Sequence, residues 1–350
     1  MVEILNAGAL NLGLAIGYRT GLFDVMATMD SPQPVSVIAE SSGLSVRYIR
    51  EWMGVMSTAG IVELTDDDGE SRFFLPKEHA ACLTRNSGPN NLGVYTQEIP
   101  LLTVLALESV LHGFKTGKGV PYTQYPQFQA FMTELSNAKH RRVLVQKFLP
   151  GVENGRLINR LKTGIRVCDV GCGEGVALLL MARAFPQSVF VGLDLSVEAI
   201  QTARSQAEAD GLVNVEFQVV DAATLAADAE LAGKFDYVTA FDAIHDQTAP
   251  LDALKGIKHL LAPGGLFSMV DIAAGSRMSD NLDHPMGPFL YTVSLMHCMP
   301  VGLVDGGSGL GMMWGREKAV EMLKAAGFNS VDILDIEDDP FNLHFLCKNP

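Results

Sequence analysis

The hydrophobic rhythm of the chain changes near its middle. Up to about residue 85, apolar residues recur at helical spacing and then switch to alternation. "VSVIAESSGL" predicts a helix closed by Gly43, and "SVRYIREWMGVMSTAG" a second with Ser45 as N-cap and Gly60 at its end. "IVELTDDDGESRFFLP" alternates around an acidic Asp-Gly turn, as a hairpin does. Helix, turn, helix and hairpin predict a winged helix over residues 1–85. Residues 86–163 read as helices and connecting loops, with "KTGKGVPYTQYP" the clearest loop. This stretch is expected to be a helical connector contributing to a dimer or to a substrate pocket.

From 164 to 350 strand and helix patterns alternate. Apolar runs at 166–170, 189–194, 215–220, 237–241 and 266–272, with weaker ones at 330–336 and 342–347, predict strands. Helical patterns at 176–185, 197–210, 249–262 and 315–327 separate them. Parallel strands need crossover helices, so the expectation is a doubly wound, mostly parallel α/β sheet of seven strands. Residues 274–313 break the rhythm and read as a long, irregular, lid-like insert rich in Gly, Met and Pro. A loop of that length in a compact domain is usually functional.

Composition narrows the setting. The net charge of −14 argues against a nucleic-acid or anionic-membrane surface, which needs basic clusters. The run "KHRR" at 139–142 reads as a solvated helix face. Five cysteines (82, 168, 172, 298 and 347), without CxxC spacing, argue against a disulfide framework or zinc site and for a reducing cytoplasm. The apolar N-terminus lacks a basic start and carries Glu3, so residues 4–16 read as a docking helix rather than a signal peptide. No later run is expected to reach membrane-spanning length.

The chemistry gathers at predicted strand ends. In "VCDVGCGEGV", Gly171, Gly173 and Gly175 let the backbone turn sharply and approach a ligand, and Asp169 precedes them. A dinucleotide fingerprint would need Gly where Val176 stands, and the Gly-Lys-Ser/Thr ending of a triphosphate loop is absent. Asp194, Asp221 and Asp242 fall at or just after the ends of the next three strands. A carboxylate at the second strand end suits two ribose hydroxyls, Asp221 suits an exocyclic amine such as that of adenine, and Asp169 suits an ammonium group. An acidic pocket of this kind fits a cationic nucleoside carrying an amino acid and a sulfonium, not a pyrophosphate.

Residues 165–272 resemble the class I S-adenosylmethionine-dependent methyltransferases, a Rossmann-like fold, through D-x-G-x-G-x-G, the second-strand acid, Asp221-Ala222 and "LLAPGGLF" before the fifth strand. The resemblance implies S-adenosyl-L-methionine as cofactor and S-adenosyl-L-homocysteine as product. It implies that Asp169 and the Gly171–Cys172–Gly173–Gly175 loop hold the methionyl part, Asp194 the ribose, and Asp221 with Ala222 the adenine edge. Leu195, Phe241 and Asp242 complete the implied cofactor-binding set.

With the winged helix, nearly the whole chain is similar to plant small-molecule O-methyltransferases and their bacterial relatives. That similarity implies a homodimer formed through the N-terminal domain, a small organic acceptor, and His245 of the His245-Asp246 pair as general base. A neutral hydroxyl is a poor nucleophile until its proton is removed, and a positioned base is typically worth about 10²–10⁴-fold. Asp271 and Asp305 are candidates to orient the ring. Alternatively His245 caps the helix near Pro250, bonds a loop carbonyl, or only positions the acceptor. Asp242, His245 and Asp246 match no strong metal signature, nor does "MHCM" at 296–299, so no metal is expected.

The insert carries Phe289, Tyr291, Met296, His297, Met299, Met312, Met313 and Trp314, which suit an apolar or aromatic acceptor. The same residues equally suit a dimer interface or core. Cys172 reads as a small packing residue. On the second helix of the wing domain only Arg47 and Arg50 are basic, and the wing turn "DDDGE" would repel phosphate. Dimerisation is therefore favoured there over DNA binding. The competing functional classes are a regulator that senses S-adenosylmethionine without catalysis and an NAD-dependent oxidoreductase.

Overall fold

The computed structural model describes residues 1–67, 69–126, 131–132, 134–135, 140–141, 143–337 and 339–350. Asp68 of the hairpin turn and Lys139 and Arg142 of the basic run fall outside them. The chain divides into two units, Met1–Leu101 and Leu102–Pro350.

In the first unit, helix Val46–Thr58 places Ile49, Trp52, Met53 and Met56 on one buried stripe, the spacing of three and four that a helix face requires. The Trp52 indole N–H donates to Gly13 O at 2.8 Å, tying this helix to Val2–Thr20. Ser45 stands at the N-cap in extended backbone, yet its hydroxyl makes no capping bond, unlike the expectation. Strands β1 (Gln33–Pro34), β2 (Glu63–Asp67) and β3 (Glu70–Phe74) form an antiparallel sheet of order β1-β3-β2. With helices Val35–Ser42 and Val46–Thr58 this is the winged helix. One expectation fails: Gly93–Thr116 is long and apolar enough for a membrane span by length and composition. Thr96, Gln97, Glu98 and Glu108 interrupt its apolar runs and hide it in the sequence. A core helix meets the same criteria.

The second unit holds β4 (Arg166–Val170), β5 (Val189–Asp194), β6 (Val215–Val219), β7 (Phe235–Phe241), β8 (Leu261–Ile272), β9 (Val331–Ile336) and β10 (Asp339–Lys348). Their order is β6-β5-β4-β7-β8-β10-β9, with β4 to β8 parallel and β10 antiparallel to both neighbours. Neighbouring strand residues feed different cores, as a period of two demands. Val238, Phe267 and Met269 pack with Leu254, Ile257 and Leu323 of helices Pro250–Leu260 and Gly315–Ala325. Tyr237, Leu266 and Val270 pack with Leu157, Leu178 and Ile200 of helices Arg156–Thr163, Val176–Ala184 and Val197–Ala209. The sheet is thus covered on both faces, which is why its strands read as continuous apolar runs. The chain steps outward from β4 to β5 and β6, then returns to β7 on the other side of β4. That reversal opens a crevice at the carboxyl ends of β4 and β7.

The insert is not irregular. It contains helix Gly287–Val293, a π turn at Ser294–Cys298 and a helical turn Met299–Gly302. Pro288 sits in a first helical turn, where its missing N–H costs nothing. Pro300 cannot donate to Met296 O, four residues back, and the buried Tyr125 hydroxyl donates to that carbonyl at 2.7 Å instead.

Candidate active site

The glycine loop begins where β4 ends. Gly171 N–H and Cys172 N–H both donate to Leu193 O, at 2.8 and 3.1 Å, folding the loop back onto β5. Gly171 has φ 75°, and a Cβ there would lie 2.5 Å from Ala243 Cβ. Strain in the left-handed region and overpacking predict that Gly171→Ala destabilises the protein by about 2–4 kcal/mol. Thermal denaturation checks this, and an unchanged melting temperature would contradict it. Gly173, at φ 53°, differs: a Cβ there would meet no atom within 4 Å, so this backbone borders open space that a ligand can enter. Cys172 is half-buried, with its thiol 3.6 Å from Gly173 O.

Carboxylates line the crevice. Asp169 is buried and accepts from Thr239 Oγ1 at 2.6 Å, its register partner on β7. Burial pushes its pKa up to about 7, with the Thr239 bond working against that rise and nearby Asp194 adding to it. Asp194, at the end of β5, accepts from Gly173 N–H at 2.7 Å and from Ser196 N–H at 2.8 Å. Burial raises its pKa, and these backbone N–H groups hold it down. Leu195 beside it is exposed. Asp221 is exposed and caps the turn Ala222–Ala227 by accepting from Ala223 N–H at 2.9 Å. Phe241 ends β7 with edge contacts to His140 and Phe148, and Asp242 follows at φ 50°.

His245 lies in the turn after Asp242, 2 % exposed. Its Nδ1 is 2.8 Å from Asp271 Oδ1, near the end of β8. That same oxygen accepts from the Trp314 indole N–H at 3.1 Å and from Ile272 N–H at 2.8 Å. An oxygen collecting two N–H donors is a carboxylate acceptor, so Nδ1 carries a proton and Nε2 is the basic nitrogen of the neutral ring. Nε2 stands 3.3 Å from Asp246 Oδ1. Burial pushes the His245 pKa down, but Asp271 and Asp246 outweigh it and hold the group well above the ordinary histidine range. Gln247 braces the turn by donating to Ala243 O at 3.1 Å. Helix Pro250–Leu260 has Ala249 as its N-cap without a side-chain bond, so His245 does not cap it.

The expected acceptor residues divide into separate groups. Phe289, Tyr291 and Met313 pack with Ile272, Ala274 and Leu290 in a small core of their own. Trp314 is buried against Asp271. Met296 and His297 lie in the π turn, where the buried His297 ring meets Tyr122 and Tyr125 edge-on at 5.4 and 4.8 Å. Burial drops the His297 pKa to about 4, against the pull of Asp246. Asp305 is exposed on a separate turn. Thr239 and Tyr125 carry no motif and emerge only through contacts between distant segments, and Cys298, read only within "MHCM", meets His245 and Asp246 in the same way.

This geometry frames the likeness to known proteins. Residues 161–298 match the family described as "Methyltransferase domain", and residues 8–85 match the "Rv2258c-like winged HTH domain". The chain therefore joins a winged-helix domain to a methyltransferase domain of the class I fold. A ubiquinone biosynthesis O-methyltransferase of Roseobacter denitrificans is 36 % identical over 103 residues, 29 % of this chain and 39 % of that protein. The match thus spans about two fifths of that relative's length. Human N-acetylserotonin methyltransferase, solved in complex with SAM, superposes with TM-score 0.69 at 15 % identity, covering 99 % of this chain and 96 % of that one. An O-methyltransferase-like structure from Nostoc punctiforme gives TM-score 0.71 at 16 % identity, covering 99 % and 97 %. At such identities the likeness is one of fold.

Proposed function

We propose that the protein transfers a methyl group from S-adenosylmethionine to a hydroxyl of a small organic acceptor, with His245 as general base. The observation that carries this reading is the Asp271–His245 pair, which leaves Nε2 as the only ring atom able to take a proton. The residues present fit the cofactor: open space at Gly173, a buried carboxyl at Asp169 that a cation would relieve, and Asp194 beside the loop. When bound, the cofactor supplies an electrophilic methyl on sulfonium. Asp169 would then hold its ammonium group, Asp194 its ribose hydroxyls, and Asp221 with Ala222 its adenine edge. Phe241 and Asp242 border the same crevice. His245 Nε2 takes the acceptor proton as its oxygen becomes the nucleophile, and Asp271 and Asp246 stabilise the imidazolium formed.

His297 Nδ1 lies 4.0 Å from Asp246, and the Tyr122 and Tyr125 rings meet His297 edge-on, which supports an aromatic acceptor with Tyr122 and Tyr125 taking part in its pocket. The N-terminal domain is proposed to form a homodimer, supported by the exposed apolar residues Val2, Ile4, Leu5, Leu12 and Ile16 of helix Val2–Thr20. A cytoplasmic setting is supported by five free cysteines.

The test is calorimetric binding of S-adenosylhomocysteine beside NAD. Binding of the first and not the second supports the reading, and binding of neither overturns it. Asp169→Asn adds a sharper result. The folded-state pKa of about 7 lies above the ordinary 3.8, so stability falls as pH rises between those values. The Asn variant is spared that loss. It should melt higher than wild type at pH 8 without ligand, by a margin that vanishes near pH 4, and bind S-adenosylhomocysteine more weakly. A variant melting lower at pH 8 would contradict the assignment.

A further inference from the structure

We infer that His245, Asp246, His297 and Cys298 form a binding site for a divalent cation of borderline softness, zinc above all, at the basic nitrogen of His245. Two segments far apart in sequence bring together two imidazoles, a thiol and a carboxylate. The ligand atoms of His245, Asp246 and Cys298 lie within 4.8 Å of one another. His245 Nε2 is 3.3 Å from Asp246 Oδ1, His297 Nδ1 is 3.6 Å from Cys298 Sγ, and His297 Nδ1 is 4.0 Å from Asp246 Oδ2. Zinc bonds of about 2.0–2.3 Å in a tetrahedron set ligand atoms about 3.3–3.8 Å apart, so the closest of these separations already match its edges. Asp246 Oδ1 is buried with no hydrogen bond of good geometry among the described residues, although Nε2 is near, while Cys298 Sγ is within hydrogen-bond distance of His297 Nδ1.

The surroundings suit a metal. Asp271 orients His245 through Nδ1, the carboxylate–histidine arrangement that fixes a metal-binding imidazole and makes it more basic. Nitrogen, sulfur and carboxylate donors favour zinc over magnesium or calcium, which prefer all-oxygen sets. Asp246, the half-buried member, gives the entry point, since the other three side chains are buried. As the metal–sulfur bond forms, the Cys298 thiol releases its proton to water, as does Nε2 where it is protonated. The linear spacing hides the site, because each half supplies only two adjacent ligands.

The consequence for activity rests on the proposed role of His245: zinc on Nε2 removes the base, so zinc should inhibit methyl transfer and a chelator restore it. Binding itself does not depend on that reading. The test is titration of the full-length protein with zinc by calorimetry and with cobalt(II) by absorption, for wild type, Cys298→Ser and His297→Gln, with circular dichroism to confirm folding. The expected result is one zinc per chain, a thiolate-to-cobalt band in the near ultraviolet that Cys298→Ser abolishes, and zinc affinity reduced at least about tenfold in each variant. No stoichiometric zinc binding by wild type, or binding equal in both folded variants, overturns the site. A silent enzyme that still binds zinc this way leaves the metal site standing and removes only the methyl-transfer reading.

Discussion

His245→Ala should lower turnover on a hydroxyl acceptor by about 10²–10⁴-fold while leaving affinity for S-adenosylhomocysteine close to wild type. The separation follows from geometry. His245 is anchored by Asp271 on β8 and faces Asp246, whereas the glycine loop is anchored on Leu193 and Asp194 of β5. The pH dependence has a definite sign. Burial lowers the His245 pKa, but Asp271 and Asp246 outweigh it and hold it above the ordinary value, and Nε2 must be unprotonated to act as a base. Turnover should therefore rise with pH along a limb that titrates His245, and that limb should be absent from the residual rate of His245→Ala. For stability the sign is opposite. The contribution of His245 is fully present below about pH 6.5 and is lost as pH rises through the folded-state value. The melting-temperature advantage of wild type over His245→Ala should shrink accordingly in alkaline buffer. Full turnover in the variant would show that alignment alone drives the reaction and that His245 only positions the acceptor.

Asp194→Ala should weaken S-adenosylhomocysteine binding by at least about 10²-fold. Hydrogen bonds to a charged group contribute roughly 1.5–3 kcal/mol each, and a ribose offers two hydroxyl donors. The variant also loses the carboxylate that receives Gly173 N–H and Ser196 N–H, so the loop facing the cofactor loosens with it. Calorimetry on folded variant protein checks this result. Affinity within a few-fold of wild type would mean that the ribose is held elsewhere and the crevice has been misread.

The sequence discloses the scaffold far better than the reacting groups. Strands β4 and β5 are readable to the residue, because a parallel strand covered on both faces is a continuous apolar run bounded by polar turns. β8 is harder. It begins at Leu261, ahead of Pro263, Gly264 and Gly265, residues that ordinarily signal a turn. The carboxylates Asp169 and Asp194 are legible because strand ends are where such a sheet presents its chemistry. Asp271 sits inside the apolar run of β8, so its role depends on the turn that returns His245 to it. The insert misleads for a different reason. Its prolines resemble loop punctuation, yet Pro288 sits in a first helical turn, and the Met296 carbonyl that Pro300 cannot serve is taken up by Tyr125. The meeting of Cys298 with His245 and Asp246 is a tertiary event that no local spacing records.

The central claim is most directly tested by following isotopically labelled methyl from S-adenosylmethionine into a panel of phenolic and other hydroxyl acceptors, with wild type and His245→Ala side by side. The account predicts label on an acceptor oxygen, formed with one S-adenosylhomocysteine per methyl by wild type and at most about one hundredth as fast by the variant. Tight S-adenosylhomocysteine binding with no transfer to any acceptor, together with retardation of DNA by the purified protein at low salt, would contradict it and mark the chain as a regulator.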